Sequence, residues 1–249
     1  MNRIRIIPVL LMIDGGLYKT EKFSNPKYVG DPINAVKIFN DKEVDELIIL
    51  DITATKNRRG PNFIKIAEIA GEAFMPMAYG GGIHTFEDAK RVFDSGYEKI
   101  VINTASIENP WLIQEVASVY GAQSVVVSID VKLNLLGKYK VFVRGGSKKT
   151  SLSPEQAASN CEANGAGEIM INAMHQDGTW EGYDLKLIQK VSNAVSIPVI
   201  ACGGASCVND LKMAVVHGGA SAVAAGSMFV FQKKGMGVLI SFPKGELEF

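Results

Sequence analysis

The sequence has no surplus of either charge: 26 lysines and arginines face 26 aspartates and glutamates. No overall electrostatic footprint marks DNA, RNA or an anionic membrane as its partner, although local positive sites stay open. Cysteine is scarce, and Cys161, Cys202 and Cys207 form an odd set without metal-ligand spacing. Cys202 stands in an apolar run, where a thiol behaves as a small hydrophobe, and this cysteine usage fits a reducing cytoplasm. His84, His175 and His217 share no spacing either, so neither a metal centre nor another cofactor is expected. No apolar run approaches the about 18 residues that a membrane-spanning helix needs, and Met1 to Arg5 lead into a short strand rather than a signal peptide. What the chain has in quantity is hydrophobic residues, 47% of 249. That content supports a large core and argues against disorder, and the length suits one α/β barrel domain over residues 1–249.

Short apolar runs alternate with helical patterns and predict strands near 5–12, 46–51, 75–79, 99–103, 124–131, 168–173, 197–202 and 221–226. The helix starts between them have a mechanism. Asp31, Asn109 and Ser153 each precede a proline, which puts a side-chain acceptor at the N-cap and a fixed φ at the first helical position. Ser153 adds a capping box with Gln156. The helix from Pro32 carries Val36 and Phe39 on one side, and the helix after Pro61 carries Phe63, Ile66 and Ala70, so each presents an inward stripe. Eight strand–helix units in about 250 residues match a (β/α)8 barrel, with an open doubly wound sheet as the competing architecture.

An internal repeat favours closure. Tyr79-Gly80-Gly81-Gly82-Ile83 in the third unit matches Ala201-Cys202-Gly203-Gly204-Ala205 in the seventh, and Ile102-Asn103-Thr104-Ala105 matches Ala224-Ala225-Gly226-Ser227. Both offsets are close to half the chain, as expected for two similar half-barrels with equivalent sites at one rim. Two stretches depart from the pattern. Tyr139 to Val143 lies between glycines and reads as a hairpin inserted after the fifth strand, and Gly235 to Pro243 is more extended than amphipathic, so a full eighth helix is not expected.

The run Val125 to Lys132 is β-branched throughout its first half and ends near one acid, Asp130. An acid at the carboxyl end of a buried strand belongs at a ligand-facing rim, either as a catalytic group or as a cap for the next loop. The duplicated glycines define two candidate phosphate sites, one from Gly81, Gly82, Asn103 and Thr104, the other from Gly203, Gly204, Gly226 and Ser227. Glycines admit close backbone approach, and a helix N-terminus adds partial positive charge, with Thr85 and Ser206 as the candidate helix caps. Glycines that only make tight turns are the plainer reading, and their duplication in units that commonly bind phosphate favours the ligand. Further polar candidates at strand ends are Asp51, Thr53, Asn172 and Asp177, with Asp51 also readable as a structural acid that holds the rim loops. Lys19 lies in the polar, glycine-bearing stretch Asp14 to Gly30, which has the composition of a lid; it can close on a phosphate or stand solvated. Met174 and His175 read as wall residues.

At the opposite rim Arg5, Glu46, Lys99 and Glu168 each stand immediately before an apolar strand. In a closed barrel these alternating charges would ring the amino-terminal mouth, as a salt-bridged plug or as a gate.

These residues resemble the cyclase subunit of imidazole glycerol phosphate synthase, the HisF type, up to about residue 232. The likeness is carried by Arg5-Ile6-Ile7, Gly30-Asp31-Pro32, Leu50-Asp51-Ile52-Thr53-Ala54, Gly80-Gly81-Gly82-Ile83-His84, Ile102-Asn103-Thr104-Ala105, Asp130, Asp177-Gly178-Thr179 and Gly203-Gly204-Ala205. The resemblance implies a (β/α)8 barrel that binds a bis-phosphorylated aminoimidazole carboxamide ribonucleotide. It also implies a HisH-type glutaminase docked as a heterodimer on the amino-terminal rim, with ammonia passing the gate of Arg5, Glu46, Lys99 and Glu168. That family works with paired aspartates at the ends of strands 1 and 5; Asp130 is the second, but the first position holds Leu11. Laying strand 1 on strand 5 by the internal repeat also sets Leu11 opposite Asp130. Leucine cannot transfer a proton, and losing such a group costs about 10²–10⁴-fold in rate. Leu11 and the altered tail resemble a divergent branch that accompanies a sugar amidotransferase in surface-polysaccharide synthesis. The expectation is therefore an ammonia-relaying subunit with weakened cyclase chemistry. A histidine-pathway cyclase is the alternative and a HisA-type isomerase a more distant one.

Overall fold

The computed structural model describes residues 4–134 and 136–243. Met1 to Arg3, part of the expected lead-in to the first strand, lie outside the described residues. In chain order the strands are β1 (Arg5–Ile13), β2 (Gly16–Glu21), β3 (Ser24–Gly30), β4 (Leu47–Asp51), β5 (Met77–Gly80), β6 (Lys99–Ile102), β7 (Val125–Leu133), β8 (Tyr139–Val143), β9 (Lys148–Lys149), β10 (Glu168–Ala173), β11 (Val199–Cys202) and β12 (Ala222–Ala225). The helices are α1 (Pro32–Asp41), α2 (Phe63–Ala70), α3 (Phe86–Asp94), α4 (Thr104–Glu108), α5 (Trp111–Tyr120), α6 (Pro154–Ala163), α7 (Leu185–Ser192), α8 (Val208–Val216) and α9 (Ser227–Val230).

Eight strands pair in parallel in the order β1-β4-β5-β6-β7-β10-β11-β12, and the pairing of β12 with β1 closes the ring. The fold is a (β/α)8 barrel, and each of the eight predicted runs contributes one barrel strand. Alternation along a strand sends every second residue inward. Ile7, Val9, Ile48, Ala78, Val101, Val126, Met170, Ile200, Ala222 and Ala224 fill the interior as one cluster, with Leu11 and Leu50 packed at its edge. Intervening residues such as Ile6, Leu10, Ile49 and Val127 join a second cluster with Val36, Phe39 and Ile66 of the helices. This burial on both faces is why the strands read as continuous apolar runs. Each fully buried aliphatic side chain contributes about 1.5–3 kcal/mol.

Local caps place the helices. Asp31 accepts from the amides of Ile33 and Asn34, Ser153 and Gln156 form the expected capping box, and Thr85 forms one with Asp88. Asn109 does not cap with its side chain: it closes the short α4, and Pro110 leads into α5. Ser206 is not the α8 cap either, because Cys207 holds that position and Asp210 reaches back to the Ser206 amide and hydroxyl.

Two hairpins rise from the carboxyl rim. β1 runs on into an antiparallel pair with β2, so the stretch expected to be a glycine-bearing lid is a β2–β3 hairpin. β7 runs on into β8 and β9, the insertion expected at this point. Both hairpins follow the first strand of a half-barrel. After β12, among the described residues, the four-residue α9 is the one helix; the tail then bridges Phe231 to Val238, and Phe242 packs against Phe229 at 5.5 Å between rings.

Candidate active site

Asp130 is the inward-facing residue where β7 leaves the barrel, and it is buried. The next strand on each side supplies an amide to it. Asn103 Nδ2 donates to Asp130 Oδ2 at 3.2 Å and also to the Ser128 carbonyl at 2.9 Å, while Asn172 Nδ2 donates to Asp130 Oδ1 at 3.5 Å. Burial, and then the negative charge of Asp177, push the Asp130 carboxyl up to about 7, although the two amides favour its ionised form. A group so poised can accept and return a proton at neutral pH.

The other half of the rim is different in kind. Register pairs Leu11 with Leu50 where β1 meets β4, as it pairs Asp130 with Asn172 where β7 meets β10. The half-barrel repeat thus sets an apolar pair across from an acid–amide pair, and all four residues line one cavity.

Every residue assigned to catalysis or ligand binding from the sequence lines that cavity: Lys19, Asp51, Gly81, Gly82, Asn103, Thr104, Asp130, Asn172, Asp177, Gly203, Gly204, Gly226 and Ser227. Two of them serve differently from their simplest reading. Lys19 is not a solvated surface lysine: it is buried on β2, and its Nζ donates to the Val9 carbonyl at 3.1 Å. Burial holds its ammonium below the usual value, partly offset by Asp177. Gly226 makes this possible, since a Cβ there would collide with Lys19 Nζ. Asp51 is heavily engaged on one oxygen. Its Oδ1 takes the amides of Thr53 and Ala54 and the Thr53 hydroxyl, and Arg59 spans both oxygens at 2.8 and 3.3 Å. These contacts suit the structural reading of Asp51, which still lines the cavity, and Arg59, eight residues on, was missed in the sequence because nothing in its surroundings distinguished it.

The glycine pairs are required by packing as well as by the cavity. Gly81 and Gly82 have φ of 112° and 73°, and a Cβ on either would strike the backbone of Asp51 or Arg59. Gly203 and Gly204, at 92° and 111°, stand in the same relation to Ala173 and Gly182. Only glycine combines such φ values with so close an approach. His175 does not form a cavity wall: its Nε2 lies 3.0 Å from Asp184, which also accepts from the Tyr139 hydroxyl at 2.9 Å, and Met174 is buried. Cys202 lines the cavity as a neutral thiol, its pKa pushed up to about 12 by burial. Thr20 and Ser128 are lining groups that sequence reasoning did not single out.

At the other mouth the four charges do meet. Arg5 bonds Glu46 at 2.6 Å and Glu168 at 2.7 Å, and Lys99 bonds the same two carboxylates at 3.0 and 2.8 Å. The result is a closed ring of alternating sign. One carboxylate oxygen, Glu46 Oε1, is buried there without a hydrogen-bond partner among the described residues. Between ring and cavity lies the apolar interior cluster.

Fold and site together define a (β/α)8 barrel protein with its candidate ligand cavity at the carboxyl rim, where such barrels place their chemistry. A family profile described as histidine biosynthesis protein matches residues 5–234. A Pseudomonas aeruginosa protein provisionally named imidazole glycerol phosphate synthase subunit hisF2 is 50% identical over 243 residues, covering 98% of this chain and 97% of its own. A Leptospira interrogans protein provisionally named subunit HisF of the same enzyme is 46% identical, covering 99% and 97%. The imidazole glycerol phosphate synthase subunit HisF of Alkaliphilus metalliredigens is 40% identical, covering 92% and 91%. The chain belongs to the histidine biosynthesis protein family, as a HisF-like subunit of a divergent paralogous type. No helix among the described residues is long and apolar enough to cross a membrane.

Proposed function

We propose that this chain is the ammonia-accepting barrel of a glutamine-dependent, imidazole glycerol phosphate synthase-like complex, with its own cyclase and lyase chemistry weakened and its ammonia relayed to amidinate a surface sugar. The observation that carries this reading is the contrast between the two mouths: the ring of Arg5, Glu46, Lys99 and Glu168 is complete, while the half-barrel position equivalent to Asp130 holds Leu11. A HisH-type glutaminase is the partner at the ring. Ammonia is small and neutral once deprotonated, so opening one ion pair admits it to the apolar interior. Glu46 Oε1, a buried acceptor with no donor among the described residues, suits an arriving ammonium. At the rim a bis-phosphorylated ligand spans the two glycine sites, one phosphate near Gly81, Gly82, Asn103 and Thr104, the other near Gly203, Gly204, Gly226, Ser227 and Lys19. The acceptor of the relayed ammonia is a sugar amidotransferase.

The second reading is a histidine-pathway cyclase, favoured by Asp130 with its pKa of about 7 and its two amide donors. Turnover of the bis-phosphorylated ribonucleotide with excess ammonium salt separates the two. The relay reading expects a rate at least about 100-fold below the about 1–10 per second of an ordinary enzyme, and a gain with Leu11→Asp. An ordinary rate in the unmodified chain sinks the relay reading. No gain from Leu11→Asp means that the cavity has diverged beyond the missing acid.

A further inference from the structure

The chain is balanced in charge as a whole, yet one element is not. From Val131 to Pro154 there is no acid, and the segment carries six cations: Lys132, Lys138, Lys140, Arg144, Lys148 and Lys149. These residues form the hairpin of upper β7, β8 and β9. Glu108 engages Arg144 and Lys148 at about 3 Å. The ammonium groups of Lys132, Lys138, Lys140 and Lys149 have no ion pair or side-chain hydrogen bond among the described residues.

The register makes this placement costly. Lys132 stands directly opposite Lys140, and Lys149 opposite Phe142, which itself faces Asp130. Like charges directly across a pair of strands destabilise it, so the pair works against the hairpin it sits in. By strand alternation Lys132 shares a face with Asp130, and Lys140 and Lys149 share it through their partners; Val131 and Val141 take the other face, in the outer core. The three lysines therefore stand on the cavity side of the hairpin. Its return turn reaches the cavity as well: the Arg144 amide donates to Thr104 Oγ1 at 2.9 Å, and Gly145 lines the cavity wall.

The cavity cannot supply this charge itself. Asp51 pairs with Arg59, and in formal charge Asp130 and Asp177 match Lys19 and Lys56, the lysines of the lining. A ligand with two phosphates brings about −1.5 to −2 at each end, against a lining whose formal charges leave no positive surplus of that size. We propose that Lys132, Lys140 and Lys149 form an electrostatic capture surface that draws a bis-phosphorylated small molecule to the rim and hands it to the cavity beside Thr104. This rests on the bis-phosphate reading of the cavity given above.

The test measures association and dissociation of the bis-phosphorylated ribonucleotide by stopped flow, with the intact chain and with Lys132→Gln/Lys140→Gln/Lys149→Gln, at low and high ionic strength. Steering predicts an association rate lower by about tenfold or more in the variant at low salt, a difference that closes at high salt, and a dissociation rate within about twofold. Equal association rates at low salt overturn the proposal and leave the cavity reading standing. No saturable binding to the unmodified chain overturns both. The variant should melt at or above the temperature of the unmodified chain, because a like-charge pair is gone; a lower melting temperature would mean that the lysines serve the fold. Salt-sensitive sedimentation of the unmodified chain with phosphatidylglycerol vesicles, lost in the variant while ligand rates stay equal, would assign the surface to a membrane instead.

Discussion

Asp130 combines a strand-end position that the sequence displays with an environment that it does not. A carboxyl raised from 3.8 to about 7 binds a proton in the folded state over a range where the unfolded chain has released it. Stability is therefore highest below the unfolded pKa and falls as pH rises toward 7, where the full cost is reached. Asp130→Asn removes that dependence, and its amide can pair with Asn172, whose Oδ1 lacks a partner among the described residues. The variant should melt a few degrees above the unmodified chain at pH 8 and within about one degree of it at pH 4. A constant difference across that range would mean that the acid titrates normally. Leu11 was legible at this scale because identity at one position is enough to exclude proton transfer. The burial of Lys19 was not, since a lysine in a polar loop has the same letters whether it is solvated or lies beneath a hairpin.

At the scale of elements, the strands and most helix starts were readable from alternation, capping residues and prolines, all of which act within about four positions. The β2–β3 hairpin was not, because Asp14 to Gly30 carries too few apolar residues to mark strands; only the extension of β1 beyond the rim gives them something to pair with. The insertion after β7 was legible from Tyr139 to Val143. Its anchor lies elsewhere: Tyr139 donates to Asp184, which caps α7 and holds His175. Tyr139→Phe should cost about 1 kcal/mol and speed amide exchange in Lys132 to Tyr139, with β10 and β11 unaffected. Uniform loss of protection would mean that the hydroxyl supports the barrel rather than the hairpin.

Across the whole molecule, the ring joins residues as far apart as Arg5 and Glu168, 163 positions. Lys99→Ala would leave two buried carboxylates to share Arg5, at a cost of about 3 kcal/mol. In the reconstituted complex with a glutaminase it should alter glutamine-dependent transfer while leaving ammonium-dependent turnover nearly unchanged. Equal effects on both would make the ring a structural plug. The sequence by itself determined the eight units, the duplicated glycines, the four charges at strand starts and the leucine in place of an acid, because residue type and period are local properties. Tertiary structure decided that Asp51 pairs with Arg59, that Asp130 takes amides from Asn103 and Asn172 on either side, and that three lysines share its side of a hairpin. Those outcomes depend on desolvation and pairing between segments that meet only when the barrel closes, and neither leaves a mark in the order of the residues.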